Sequence, residues 1–223
     1  SGLLEALSSR ASRYMLVSTV DVYEKWTGRP LTEDAPLANR RFGGESGEYI
    51  WQKILLEQEL GRVCKEQEMA HTVVSPALLY GPFNYAMREA AYVQMALQGQ
   101  DIICPQGAKG RFQPVYVKDA AAIMLALCQK ETSDGHAYNL AGPSVNYEGF
   151  LEAFAQTAKC PVKLRKIPWQ EAEKQNAFLP FPLTAKETEY YDGARAVEET
   201  GLTYLPLTEG LARTWESFAR VFA

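Results

Sequence analysis

His71-Thr72-Val73-Val74-Ser75, closed by Pro76, is the stretch on which the fold turns. It is brief and β-branched, the composition of a buried strand, and proline cannot donate to a continuing ladder. Immediately upstream, from about 47 to 68, Ile50, Ile54, Leu55, Leu60 and Val63 recur at helical intervals. Further back, Tyr14-Met15-Leu16-Val17-Ser18 reads as another short buried strand. The passage between it and the helix, with Gly28, Pro30, Pro36, Gly43, Gly44 and Gly47, is too rich in breakers for regular structure.

The alternation continues outward. Residues 2–12 read as helix, followed after Pro76 by helix at 86–98, extended pieces at 101–104 and 113–117, helix at 119–129 and strand at 137–140. Helices interleaved with short apolar strands indicate an α/β protein with a largely parallel sheet. Beyond Gly142-Pro143 the pattern is mixed: helix at 147–158, strand at 162–167, a proline-rich passage through Pro180 and Pro182, and helices at 193–200 and 208–221. The last carries Leu211, Trp215, Phe218 and Phe222 on one stripe. The expected division is therefore 1–142 for the main sheet region and 143–223 for a smaller cap.

Composition excludes several classes. The 223 residues are 47% hydrophobic, enough for a real core, and a net charge of -4 gives no footprint for nucleic acid. No apolar run approaches bilayer length and the start lacks a basic leader, so the chain is expected to be cytoplasmic. Cys64, Cys104, Cys128 and Cys160 are scattered without a C-x-x-C, which predicts buried free thiols and no metal site. His71 and His136, the only histidines, cannot form H-E-x-x-H.

Among 12 tyrosines, only Tyr49 is followed four residues later by lysine, in Gly47-Glu48-Tyr49-Ile50-Trp51-Gln52-Lys53. On a helix that spacing puts both side chains on one face. A neighbouring ammonium favours the phenolate, and a phenol so tuned can exchange a proton with a carbinol. Read alone, the pair is equally a half-buried tyrosine with a lysine stem lying beside it.

Four segments in order resemble the NAD-dependent epimerase/dehydratase family, the extended branch of the short-chain dehydrogenase/reductases. Val17-Ser18-Thr19-Val20-Asp21-Val22-Tyr23 is similar to its strand-end Ser-Ser/Thr-x-x-Val-Tyr-Gly. Thr32-Glu33-Asp34-Ala35-Pro36, then Tyr49 to Lys53 with Glu57 or Glu59, resembles its Thr-Glu-x-x-Pro followed by Tyr-x-x-x-Lys and a glutamate. Ser75 to Pro82 resembles the Arg-Pro-x-x-x-Tyr-Gly-Pro turn, and Val115-Tyr116-Val117-Lys118-Asp119-Ala120-Ala121 the Val-x-Val-x-Asp-Val-Ala segment, trailed by Tyr138-Asn139-Leu140 and residues 192–196.

The resemblance implies a doubly wound, Rossmann-like parallel sheet with a small mixed α/β substrate cap, and NAD or NADP as cofactor. It implies Thr19, Tyr49 and Lys53 as the catalytic trio, with Tyr49, Lys53, Pro76, Ala77, Leu78 and Leu79 along the cofactor. Asp21, Tyr80, Asn84, Phe112 and Gln113 would face a small-molecule substrate, sugar-like or a small carbonyl or alcohol, and a homodimer is implied.

The departures matter as much. The family's Gly-x-x-Gly-x-x-Gly turn has no counterpart among the 16 glycines, which include no Gly-x-Gly either. Roughly the first hundred residues of the family's fold are thus expected to be missing, which predicts a truncated chain inactive on its own. Ser75 replaces the turn arginine, Arg111 is out of register, and Val20-Asp21 stands where dehydratases place Asp-Glu. Sugar-nucleotide dehydration is disfavoured; epimerase, reductase and a non-catalytic binding or regulatory protein on the same scaffold stay open.

Overall fold

The structure, a computed structural model, describes residues 2, 6, 10–24, 28–188 and 190–222; most of the expected helix at 2–12 lies outside them. In chain order the elements are β1 (Arg13–Val17), α1 (Gly44–Glu66), β2 (Ala70–Pro76), β3 (Leu78–Tyr80), α2 (Arg88–Leu97), β4 (Asp101–Gln106), β5 (Arg111–Phe112), β6 (Pro114–Tyr116) and α3 (Val117–Cys128). They continue as β7 (His136–Leu140), β8 (Val145–Asn146), α4 (Tyr147–Thr157), β9 (Lys163–Pro168), α5 (Trp169–Lys174), α6 (Ala194–Thr200) and α7 (Leu207–Phe222). Two compact units interleave along the chain: one takes residues 1–77, 119–141 and 191–203, the other 78–118, 142–190 and 204–223. Each draws on both sides of residue 142.

The first unit is built on a parallel sheet in the order β1-β2-β7, with Leu16 beside Val73 and Val74 beside both Val17 and Tyr138. Central strand β2 is buried from Thr72 to Pro76, which is why its sequence is a continuous apolar run without alternation. Helix α1 covers the sheet through Leu60 and Cys64, packed with Leu16, Met69 and Val73, and through Ile54, packed with Val20, Val22, Tyr23 and Ala38. A Cβ at Gly47 would collide with the Phe42 carbonyl, so glycine there lets the entering chain close over the first turn of α1.

Several of the family-like motifs meet in one buried polar network of this unit. The Tyr23 hydroxyl donates to Asn139 Oδ1 at 2.9 Å, and the Asn139 amide donates to Glu33 Oε1 at 2.9 Å. Arg195 Nε stands 3.6 Å from Glu33 Oε2, whose side chain is buried. Burial, with the nearby Glu57 and Glu33 charges, pushes the Tyr23 phenol far above its ordinary range. These motif residues hold loops to the sheet.

The second unit pairs β3 with β6 and β4 with β9 in parallel, and β5 with β8 antiparallel. Its core is aromatic. Phe181 stacks on Phe112 with ring centres 4.5 Å apart and planes 11° from parallel, and lies 4.6 Å from Phe150 and 5.3 Å from Tyr147. Phe154 on α4 meets Trp215 on α7 at 5.8 Å. The stripe on the last helix behaves as expected, with Leu211, Trp215 and Phe218 buried. Helix α5 was not evident in the sequence, being only six residues after Pro168.

All four cysteines are free; Cys64 and Cys104 are buried and Cys160 partly so, but Cys128 is exposed, contrary to expectation. It ends α3, whose outward face also shows Leu125. Among the described residues no helix is long and apolar enough to cross a membrane, and no group of three His, Cys, Asp or Glu could hold a metal ion.

Candidate functional site

Tyr49, Lys53 and Glu57 follow one another at four-residue intervals on α1, so they form a single row along one face. Two contacts tie that row to the C-terminal end of β1. Lys53 Nζ donates to the Val17 carbonyl at 2.7 Å, and the Ser18 hydroxyl donates to Glu57 Oε1. Because the Ser18 amide donates to Val74 in β2, the Val17 carbonyl points away from β2, and Lys53 meets it there. The ammonium also lies 5.6 Å from the centre of the Tyr49 ring, within cation–π range, and that ring is 50% exposed.

Thr19 follows Ser18 directly and caps the 3-10 turn Val20–Val22. Its hydroxyl donates to Asp21 Oδ2 at 2.9 Å and accepts from the Asp21 amide at 3.3 Å. Asp21 has surface open to solvent, yet the protein crowds its carboxyl, and this burial raises its pKa against the opposing effect of the Thr19 hydrogen bond.

Glu57 likewise titrates above the ordinary carboxylate range: burial outweighs the Ser18 hydrogen bond and the Lys53 charge. A folded-state pKa above the unfolded one contributes stability that is complete below the unfolded pKa and lost as pH rises through the folded value. Glu57→Gln keeps an acceptor for Ser18 but cannot ionise. It is expected to match wild type in thermal unfolding at acid pH and to exceed it at pH 8; a variant less stable than wild type at pH 8 contradicts this.

Of the two glutamates that fit the family's downstream position, Glu57 meets the end of β1 through Ser18, and Glu59 pairs with Arg62 at 2.7 Å. Ser18 and Glu57 were the polar residues of this face that the sequence reading gave no role; the continued four-residue spacing was the available signal. Of the expected cofactor residues, Pro76 ends β2 and Ala77 bonds through its amide to Leu140 at 2.8 Å, both in the first unit. Leu78 and Leu79 lie half-buried on β3 in the second.

Of the expected substrate residues of the second unit, Tyr80, Phe112 and Gln113 are buried and Asn84 is half-buried. Tyr80 is buried with its hydroxyl against Gly210, where any Cβ would collide with it. Phe112 is the partner of Phe181 in the core. Asn84 Nδ2 donates to Glu89 Oε1 at 2.9 Å and its Oδ1 accepts from Ala86 at 3.1 Å, so it closes its own loop. Gln113 is buried and donates to the Gly142 carbonyl at 3.1 Å. The Asn84 loop exposes Phe83 and Tyr85, by 98% and 93%, with Phe83 in the left-handed region at φ 63°.

A parallel sheet crossed by a long helix, with the Lys53 ammonium and the Thr19 hydroxyl at the end of β1, is an open α/β arrangement of the kind that places ligands beyond its strand ends. Residues 2–141 match the profile of the NAD dependent epimerase/dehydratase family, and the chain belongs to it. Among solved structures it is similar to UDP-glucuronic acid 4-epimerase from Bacillus cereus in complex with UDP-glucuronic acid and NAD: TM-score 0.75 at 15% identity, over 98% of this chain and 65% of that one. UDP-glucose 4-epimerase from Thermotoga maritima with UDP-glucose gives 0.74 at 20% identity, over 99% and 68%. RMD from Pseudomonas aeruginosa complexed with NADPH gives 0.74 at 17%, over 98% and 70%. The chain therefore spans about two thirds of the length of these structures. No curated protein matches it.

Proposed function

We propose that the protein acts as an NAD(P)-dependent epimerase or reductase on a sugar-like or small carbonyl or alcohol substrate. The observation that carries this reading is the ammonium of Lys53, fixed at 2.7 Å to the end of β1 and 5.6 Å from the Tyr49 ring. In this reading Tyr49 gives or takes the proton at the substrate oxygen, Thr19 bonds that oxygen, and Lys53 favours the phenolate and holds the nicotinamide ribose hydroxyls. Half-buried Ala77, next to Pro76 in the same unit, supplies apolar surface for the ring of the cofactor. When bound, the cofactor supplies hydride exchange at the nicotinamide C4.

These residues suit the nicotinamide end alone, because no Gly-x-Gly turn for the pyrophosphate occurs among the 223 residues. The division at residue 142 into a dinucleotide region and a substrate cap, and the homodimer, belong to the same proposal. The neighbours bound to UDP-sugars favour a nucleotide-linked sugar as substrate. The test is incubation of the whole protein with NAD or NADPH and UDP-glucose, UDP-glucuronic acid or a small ketone. A changed sugar configuration by NMR, or oxidation of NADPH at 340 nm, is expected. A protein that binds neither dinucleotide contradicts the reading.

A further inference from the structure

The hydrogen bonds of Thr19 leave it the wrong polarity for the role just described. A hydroxyl has one hydrogen and two lone pairs. Here the hydrogen goes to Asp21 Oδ2 at 2.9 Å and one lone pair to the Asp21 amide at 3.3 Å, so a ligand meets only the second lone pair. Binding a carbonyl or alkoxide-like oxygen requires the hydrogen, because such an oxygen has none of its own to offer. A charge-assisted bond to a carboxylate outcompetes a neutral one.

We propose that Asp21 is a positioning residue that sets the polarity of Thr19: as a carboxylate it holds the Thr19 hydrogen, and as a carboxylic acid it donates to Oγ1 and turns that hydrogen towards the substrate oxygen. No proton is consumed, since the acid proton stays between Oδ2 and Oγ1 while the hydroxyl rotates. The carboxylate form leaves Thr19 able to accept from an alcohol; the acid form favours a carbonyl. Among the described residues, burial and the Thr19 hydroxyl are the influences on the Asp21 carboxyl, and burial prevails. The acid form is therefore populated at higher pH than in an ordinary aspartate. The inference rests on the reading of Thr19 as the group that binds the substrate oxygen.

The first test needs no ligand. The 13C carboxyl resonance of Asp21, assigned with Asp21→Ala, is titrated in wild type, Thr19→Val and Thr19→Ser. Loss of the hydroxyl in Thr19→Val should move the midpoint upward, and Thr19→Ser should restore it; an unmoved midpoint in Thr19→Val overturns the proposal. The second uses the NADPH-loaded protein with UDP-4-keto-6-deoxyglucose as carbonyl probe. In wild type kcat/KM for reduction should fall about tenfold per pH unit above the Asp21 midpoint, whereas Asp21→Ala, whose Thr19 hydrogen is free at every pH, loses that limb. Retention of the same limb in Asp21→Ala also overturns it. If no carbonyl is reduced by either protein, the functional reading fails while the titration still decides the direction of the hydroxyl.

Discussion

Tyr49→Phe in the whole protein is expected to lower turnover by roughly 10²–10⁴-fold, the range for loss of a positioned acid–base group. NAD(P)H binding should change little, because the ring, its half-exposed position and the Lys53 ammonium beside it all persist. The substitution removes only the oxygen. Stopped-flow absorbance at 340 nm reports turnover, and nicotinamide fluorescence reports binding. Loss of both would point to a structural role for the hydroxyl, and retention of turnover would remove Tyr49 from the chemistry.

The largest stability effect should come from Phe181→Ala, at about 3–5 kcal/mol, the usual cost of deleting a buried aromatic ring. Phe181 is buried at the centre of the second unit, where Phe112, Phe150 and Tyr147 all meet its ring. Removing it leaves a cavity lined by rigid rings that collapse poorly. For a chain of this size the loss corresponds to a fall in Tm on the order of 10 °C. Phe178→Ala is the control: its ring is exposed and makes an edge contact with Tyr92 at 5.4 Å. Calorimetry should show a much smaller loss there, and equal losses would contradict the account of the core.

How much of this was legible follows from what kind of signal each residue leaves. Strand β2 and helix α1 were readable because burial on both faces writes a continuous β-branched run and burial on one face writes a helical period. Phe181 left no such trace, since it lies outside every helix and strand, between Pro180 and Pro182. The Tyr49–Lys53 pair was readable from spacing, but its attachment to Val17 was not, because that contact joins residues 36 apart in sequence through a backbone carbonyl. Tyr80, Asn84, Phe112 and Gln113 show what spacing leaves out. Their places in family-like motifs suggested substrate contact, whereas Gly210, Glu89, Phe181 and the Gly142 carbonyl engage them. Glu33 and Asn139 are motif residues of the same kind, kept by a buried network.

The central claim is that α1 presents a phenol and an ammonium at the end of β1 where a nicotinamide docks. Lys53 gives one of its three hydrogens to the Val17 carbonyl, and in the proposed reading the other two serve the ribose hydroxyls, so a docked cofactor changes the surroundings of that carbonyl. The direct measurement is an NADH titration of the whole protein, isotopically labelled, followed through the 13C resonance of the Val17 carbonyl and the Tyr49 ring signals. Saturable movement of both, lost at Val17 in Lys53→Met, is the predicted result. NADH binding that leaves both unmoved, or no binding at all, would contradict the account.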